Sequence, residues 1–245
     1  MGNLRLTVAG EVIRLVEGAR FQGVWVDEGL RWTARIDIID NVRSKIKQLL
    51  GVLGRASAVL GQGSLLSLYN GLVLPHLQYC LMVWGDFQGD GNGAHGAALL
   101  RQQKRFVGLI EGKRGRYHAD PLFASHEILK VGDLYRQQVR VHAWRFWNRQ
   151  LPVHQAAMFE RVDAVHSYGT RRAGMGLYVS TRDHRSVGYK IPREWELLPA
   201  KLREISSLQA FKKNSRARFI QGYRMFICDE RDCYMCNLAT GEVTA

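Results

Sequence analysis

The sequence predicts a mainly α-helical protein with a small antiparallel β-meander near its N-terminal end and an irregular extension near its C-terminal end. Three patterns predict this fold class. Apolar and polar residues alternate in parts of the first 27 residues, which is typical of half-buried strands. Apolar residues then recur every three or four positions as far as about residue 149, as on helices with one buried face. After Pro152 this helical periodicity fades.

The β-region contains three candidate strands. Residues 4–8 alternate apolar and polar side chains, residues 9–11 favour a turn, and residues 12–16 are mostly apolar and β-branched. Residues 21–27 form the third candidate strand. A sheet this small needs a partner layer over its apolar face.

The longest helix is predicted at about 34–59, where one stripe is apolar and most basic residues lie off it. A second helix is predicted at about 64–85, capped by Ser64 and kinked by Pro75, which has no N–H to donate. A third is predicted at about 95–111. The remaining predicted helices are a short one with Asp120 as its N-cap and Pro121 in its first turn, one at about 133–149 that Asp133 caps, and a final one at about 206–222.

Four segments follow from these changes of pattern. Residues 1–34 contain the β-meander, and residues 35–152 form a helical domain. Residues 153–225 form a basic C-terminal extension that is irregular or weakly β before its final helix. Residues 226–245 are a cysteine-containing tail.

The charge of the chain points to a polyanionic partner. The net charge is +13 and the pI is about 9.9. Residues 101–116 have six Lys or Arg against one acidic residue, and residues 171–224 have thirteen against four. Basic clusters of this kind favour nucleic acid, because each neutralised phosphate releases a counterion. The alternative is an ordinary solvated basic surface.

Membrane and secreted classes are not expected. The longest apolar stretch, near residues 72–84, is interrupted by Pro75, His76 and Gln78 and is too short to span a bilayer. The N-terminal residues lack the apolar core of a signal peptide. The four cysteines do not form the pattern of a disulfide framework, which predicts a reducing compartment, in the nucleus or the cytoplasm.

Three of the cysteines offer a possible metal site. Cys228, Cys233 and Cys236 have thiolate spacings that suit zinc, but a fourth ligand is not evident. We therefore expect no metal site, with the three cysteines as an alternative. We also expect no catalytic residue in this chain, since no nucleophile elbow or phosphate-binding loop is present in the sequence. The histidines are scattered, and His126 and His142 are expected on helix surfaces.

Two clusters are candidates for phosphate binding. Arg101, Lys104 and Arg105 share one face of the predicted third helix, and the connector that follows contains Lys113 and Arg114. A later loop mixes an aromatic ring with guanidinium groups, which can stack on bases and bind phosphate. The residues of this loop are His166, Tyr168, Arg171 and Arg172.

Taken in order, several stretches resemble the C-terminal part of the reverse transcriptase of non-LTR (LINE-type) retrotransposons, of the jockey or CR1-like kind. Residues 21–32 (FQGVWVDEGLRW) are similar to the family's Phe-Leu-Gly-Val-x-Ile-Asp…Leu-x-Trp, with Gln22 in place of the usual Leu. Residues 67–80 (SLYNGLVLPHLQYC) continue the match. The resemblance extends through residues 83–85, 103–105, 133–135, 151–152, 166–171, 195–199 and 206–213, and so covers nearly the whole chain.

The resemblance implies a fragment of an RNA-directed DNA polymerase. Residues 1–34 would be the end of the palm, residues 35–152 a helical thumb-like domain, and the cations of both clusters, with Lys212 and Lys213, would contact the template–primer. The family holds its Mg²⁺ ions on an Asp-Asp turn and an upstream Asp. This sequence has no Asp-Asp pair, so we expect the palm to lie upstream of Met1 and this chain to be inactive alone.

Three functional hypotheses remain. The first is a module that binds RNA or an RNA–DNA hybrid, with the missing palm and fingers as a further partner and no membrane role. The second is a helical structural or protein-interaction domain, for which six Trp residues could form an interface. The third is an active polymerase that takes its carboxylates from another chain.

Overall fold

Two short β-hairpins precede the helices. The computed structural model describes residues 6–13, 16–21, 24–27, 35–85, 94–113, 115–165, 176–179 and 186–225. Strand β1 (Leu6–Val8) pairs antiparallel with β2 (Glu11–Ile13), and β3 (Gly18–Phe21) pairs antiparallel with β4 (Val24–Asp27). The antiparallel β-region is confirmed, but the described strands form two hairpins rather than one meander. Phe21 ends β3 and Val24–Asp27 form β4, so the third candidate strand contains parts of two paired strands.

The first predicted helix is confirmed as α1 (Arg35–Ala56). The second is divided into α2 (Gln62–Leu68), a π-helical turn (Tyr69–Val73), α3 (Leu74–Gln78) and α4 (Leu81–Trp84). The distortion lies beside Pro75, as predicted. The amide of Leu74 donates to the carbonyl of Tyr69, five residues back, and such a widened turn relieves the clash that Pro75 would make with a regular α-helix. The N-cap of α2 is Gly61 and not Ser64.

Three further helices complete the predicted helical domain: α5 (Ala94–Ile110), α6 (Asp120–Ser125) and α7 (Val131–Trp147). The two predicted Asp caps are wrong, because both carboxylates have tertiary partners instead. Asp120 lies in the first turn of α6 and pairs with Lys130 at 2.6 Å. Asp133 lies in the first turn of α7 and accepts a hydrogen bond from the hydroxyl of Tyr223.

The C-terminal extension is more helical than the sequence indicates. It contains α8 (Val153–Ala156), α9 (Val162–Val165), α10 (Val187–Glu196), α11 (Ala200–Arg203) and α12 (Leu208–Arg224). The final helix was predicted within two residues, whereas α10 lies in the segment predicted to be irregular. Ser186 caps α10 by accepting from the amide of Gly188, and Ile191 and Trp195 form its buried side. Pro192 inside a helix of ten residues hides this pattern in the sequence.

One hydrophobic core joins these helices. It extends from Ile39 on α1 to Tyr223 on α12, so residues 35–152 and 153–225 contribute to the same core. Helix α7 contacts α10, α12 and α5 and lies at the centre. The described part of the chain contains no helix long and apolar enough to cross a membrane. The largest fully buried side chains include Trp84, Trp144 and Trp195.

Candidate nucleic-acid interface

Helix α5 has one buried and one exposed face, and the buried face is fixed by Gln103. This side chain is 1% exposed. Its amide nitrogen donates to the hydroxyl of Tyr69 at 2.8 Å and to the carbonyl of Leu129 at 2.7 Å, and its oxygen accepts from the amide of Val131 at 2.9 Å. Because all of these partners are satisfied in one orientation, the buried amide fixes which face of α5 packs against the core.

In this orientation of α5, Arg101, Lys104 and Arg105 are exposed to solvent. They share one helix face, as predicted from their spacing. Within the described ranges, none of the three forms an ion pair with a carboxylate. Lys113, just beyond the helix, is exposed as well. This face is therefore a cluster of solvent-exposed positive charges with no acidic partner among the described residues.

Helix α12 is the second basic surface. Its buried side, which includes Phe211, Ser215 and Phe219, packs on α6 and α7. The helix contains no Asp or Glu. Its five cations are all exposed: Lys212, Lys213, Arg216, Arg218 and Arg224.

The link between α7 and α12 sets where these cations lie. Gln137 on α7 donates to the carbonyl of Lys212 at 3.1 Å and accepts from the hydroxyl of Ser215 at 2.7 Å. Arg216 donates to the carbonyl of Glu127, just after α6. These bonds hold the middle of α12 against α7 and the end of α6, with Lys212 and Lys213 beside the contact.

A cleft of about 760 Å³ opens beside this contact. The π-helical turn, α3, α4, α7 and α12 line it. Its apolar lining includes Leu74, Met82, Leu134 and Val141. Its polar lining comprises the amides Asn70, Gln78, Gln137 and Gln138, the cations Arg145, Lys212, Lys213 and Arg216, the imidazole of His142, and Glu127.

The charge inside the cleft is set by its cations. Arg145 is exposed and lies one turn from His142 on α7. Burial, and then the charge of Arg145, lower the pKa of His142, so the imidazole is uncharged at neutral pH. In the described structure Arg145, Lys212 and Lys213 have no acidic partner. The cleft thus presents unpaired positive charge beside an apolar lining.

The structure brings together only part of the predicted site. Arg101, Lys104, Arg105 and Lys113 are exposed near one helix, and Lys212 and Lys213 lie on another. The predicted residues Arg114, His166, Tyr168, Arg171 and Arg172, and the alternative metal ligands Cys228, Cys233 and Cys236, fall outside the described residues. Elsewhere in the described chain, no group of His, Cys, Asp and Glu is placed to hold a metal ion.

Sequence reasoning missed the remaining cations of the cleft. Arg216 could have been found, because the final helix has five basic residues and no acidic one. Arg145 and the amides of Asn70 and Gln78 could not, because their positions become adjacent only after folding.

Two expectations about aromatic and histidine residues need correction. His126 was expected on a helix surface, but its side chain is only 8% exposed and its Nε2 lies 2.7 Å from Glu111. His142 was also expected on a surface and is half-buried in the cleft. Trp84, Trp144 and Trp195 belong to the core, and Trp147 is half-buried against Trp195. These four tryptophans pack inside the protein. They therefore give little support to the hypothesis that tryptophans form a protein-interaction surface.

No protein-family model matches the chain, and neither a curated protein nor a solved structure is significantly similar to it. The resemblance to reverse transcriptases therefore rests on the residues quoted above alone. The geometry of α5, α12 and the cleft is independent of that resemblance.

Proposed function

We propose that this chain is part of the RNA-directed DNA polymerase of a non-LTR retrotransposon, and that it binds RNA or an RNA–DNA hybrid without catalysing nucleotide transfer alone. One observation carries the proposal: the exposed cations of α5 and α12 have no acidic partner in the described structure. Surface cations without acidic partners, on two helices that share one core, can bind the phosphates of a nucleic-acid backbone.

The helical fold supports this proposal and the motif resemblance adds the polymerase. Thumb domains of such enzymes are expected to be helical and to contact the template–primer. The described residues 35–225 are mainly helical and share one core. Polymerisation would require Mg²⁺-binding carboxylates from the palm, which we propose as the further partner of this chain.

Salt dependence of binding tests the proposal. We expect the affinity of the chain for an RNA–DNA hybrid to fall steeply as salt rises, because each phosphate contact releases a counterion. Replacing Arg101, Lys104 and Arg105 with Gln should weaken binding and reduce the magnitude of the log–log salt slope by about 2 to 3. Fluorescence anisotropy at several salt concentrations measures both quantities.

The control removes the same charge elsewhere. Arg55, Arg149 and Lys201 are exposed cations outside α5 and α12, and a triple Gln variant of them has the same net charge as the α5 variant. We expect this control to keep a slope close to that of the unmodified chain. Equal slopes for the two triple variants, or no binding at low salt, would contradict the proposal.

A further inference from the structure

We propose that the cleft between α7 and α12 binds one unpaired nucleotide, at a single-stranded end of the nucleic acid that the exposed cations hold. This inference rests on the proposed function and names the form of nucleic acid that the site prefers. It is carried by the juxtaposition, in one cleft, of an apolar lining, free amides and unpaired cations.

The size of the cleft suits a single nucleotide and excludes a duplex. A volume of about 760 Å³ lies within the range of roughly 300–1,000 Å³ that holds small organic ligands. Bases in a duplex are stacked and paired, so a base can enter such a cleft only after it has left the stack. A single-stranded end provides this base without the cost of breaking a pair.

The interior of the cleft suits the flat face of a base. Leu74, Met82 and Val141 provide apolar contact, and each is partly exposed to the cleft rather than fully buried. The uncharged imidazole of His142 is a ring on which a base can stack. Its own packing partner is the ring of Phe159, with centroids 5.7 Å apart.

The free polar groups suit the edge of a base and its phosphate. The side chains of Asn70 and Gln78 have no hydrogen-bond partner among the described residues. Amides of this kind can both donate to and accept from base edges. Arg145 on α7, and Lys212 and Lys213 on α12, can bind the phosphates next to that base.

An acidic peptide is the competing occupant, and the cleft favours a nucleotide over it. The peptide would use the same three cations. However, it would leave the ring of His142 and the apolar lining without a flat partner, and its extra carboxylates would lie near Glu127, which also lines the cleft.

The test compares two ligands with the full chain. One is a blunt RNA–DNA hybrid, and the other is the same hybrid with a short single-stranded overhang, in separate RNA and DNA versions. We expect the overhang to increase affinity about tenfold, the effect of one stacked base. Equal affinity for the blunt and both overhang ligands would overturn the inference.

A blocking variant assigns the effect to the cleft. Gln78 is exposed at the cleft, and its hydrogen bond from Gln138 uses the backbone carbonyl, so Gln78→Trp fills the cleft without removing a side-chain bond. We expect this variant to bind the overhang ligand as weakly as the blunt one. The matched control is Gln221→Trp at an exposed position of α12 outside the cleft, which should keep the preference.

The outcomes separate this inference from the proposed function. Loss of the overhang preference in both Trp variants, or in neither, would overturn the cleft assignment while leaving salt-dependent binding intact. Failure of the chain to bind any of the ligands would instead overturn the proposed function. Displacement of the overhang ligand by a polyglutamate peptide at lower concentration than by a free oligonucleotide would identify an acidic peptide as the occupant. Circular dichroism checks that each variant is folded.

Discussion

Gln103 shows how one polar residue organises an otherwise apolar contact. Its amide links α5 to Tyr69 in the π-helical turn and to the backbone on both sides of the start of α7, at Leu129 and Val131. Burial raises the pKa of the Tyr69 hydroxyl, and the hydroxyl oxygen accepts from the amide of Gln103, which opposes this shift. The exposed cations of α5 therefore depend on a residue on the opposite face of the helix.

Replacing Gln103 with Leu should destabilise the fold strongly. The substitution leaves a buried hydroxyl, a backbone amide and a carbonyl without partners, and each costs about 1–3 kcal/mol when unsatisfied. We expect the free energy of unfolding to fall by roughly 3 kcal/mol, since the structure can relax around part of the loss. Chemical denaturation measures this change.

The control for Gln103 is the same substitution at a solvated position. Gln209 is exposed near the start of α12, and its side chain has no hydrogen-bond partner in the described structure. Gln209→Leu should change stability by less than about 0.5 kcal/mol. A similar small effect at both positions would show that the buried amide network contributes little.

At the scale of elements, α5 is shaped by a glycine in its last turns. Gly108 is buried, and the ring of Tyr117 lies directly against it: a Cβ at position 108 would lie 1.9 Å from the Tyr117 hydroxyl oxygen. That hydroxyl donates to the carbonyl of Lys104 at 2.8 Å. The close approach holds the segment after α5 beside the exposed basic face.

Gly108→Ala is expected to destabilise the protein although alanine is the better helix former. In an exposed helix the substitution stabilises by roughly 1 kcal/mol. Here the methyl group would displace Tyr117 and break its bond to Lys104, so we expect a net loss of about 1–2 kcal/mol, measured by thermal or chemical unfolding.

Gly51 in α1 provides the matched control. Nothing lies within 4 Å of a Cβ at Gly51, so Gly51→Ala should increase stability. The double variant Gly108→Ala with Tyr117→Ala should be less destabilised than the two single effects would sum to, because the clash is absent. Equal effects of the two glycine substitutions would refute the proposed close packing.

The longest helices were predictable from their apolar stripes, and α6 from its Asp-Pro start, whereas α10 was not. Helices α1 and α12 have 22 and 17 residues, and their repeated apolar stripes determine type and approximate bounds. Helix α10 has ten residues and an internal proline, so its pattern is too short to recognise. The caps failed for a different reason: Asp120 and Asp133 have the right residue type for capping, but Lys130 and Tyr223 provide stronger tertiary partners.

At the scale of the molecule, α7 is linked to α10 and α12 by contacts of its charged side chains. Glu194 on α10 accepts from Arg136 and Arg140 on α7, each at 3.0 Å, and the guanidinium of Arg140 also lies 4.4 Å from the ring centre of Phe219 on α12. Burial lowers the pKa of Arg140, and the carboxylate of Glu194 opposes this shift. Arg140 is 4% exposed, so its buried charge is compensated by that partner rather than by water.

Glu194→Gln should therefore lower the free energy of unfolding of the whole helical core. Removing one partner of a buried ion pair costs roughly 3 kcal/mol, because the remaining charge is uncompensated. The helical signal and tryptophan fluorescence should both shift to lower denaturant by the same amount, since the core is shared. The exposed Glu204, changed to Gln, is the control and should have little effect. Separate transitions for the two signals would show that the segments unfold independently.

The candidate site was predictable only where its residues are close in sequence. Arg101, Lys104 and Arg105 are one helical turn apart, and their shared face follows from helix geometry. The cleft joins Asn70, Arg145 and Lys212, which are separated by scores of residues. Their proximity depends on how α7 packs against α3, α4 and α12. No short sequence pattern predicts this packing.

The π-helical turn at Tyr69–Val73 has a consequence for changes in chain length. Its hydrogen bond joins residues five apart rather than four apart, so the turn contains one residue more than a turn of a regular α-helix. Deleting one residue there would restore ordinary α-geometry with the side chains of α3 in nearly the same orientation relative to α2, because four residues of an α-helix complete about the same rotation as five residues of the widened turn. Leu77, now fully buried, would therefore still face the core. We expect loss of a single codon here to be tolerated better than the same loss within α7, where a deletion rotates the rest of the helix by about 100°.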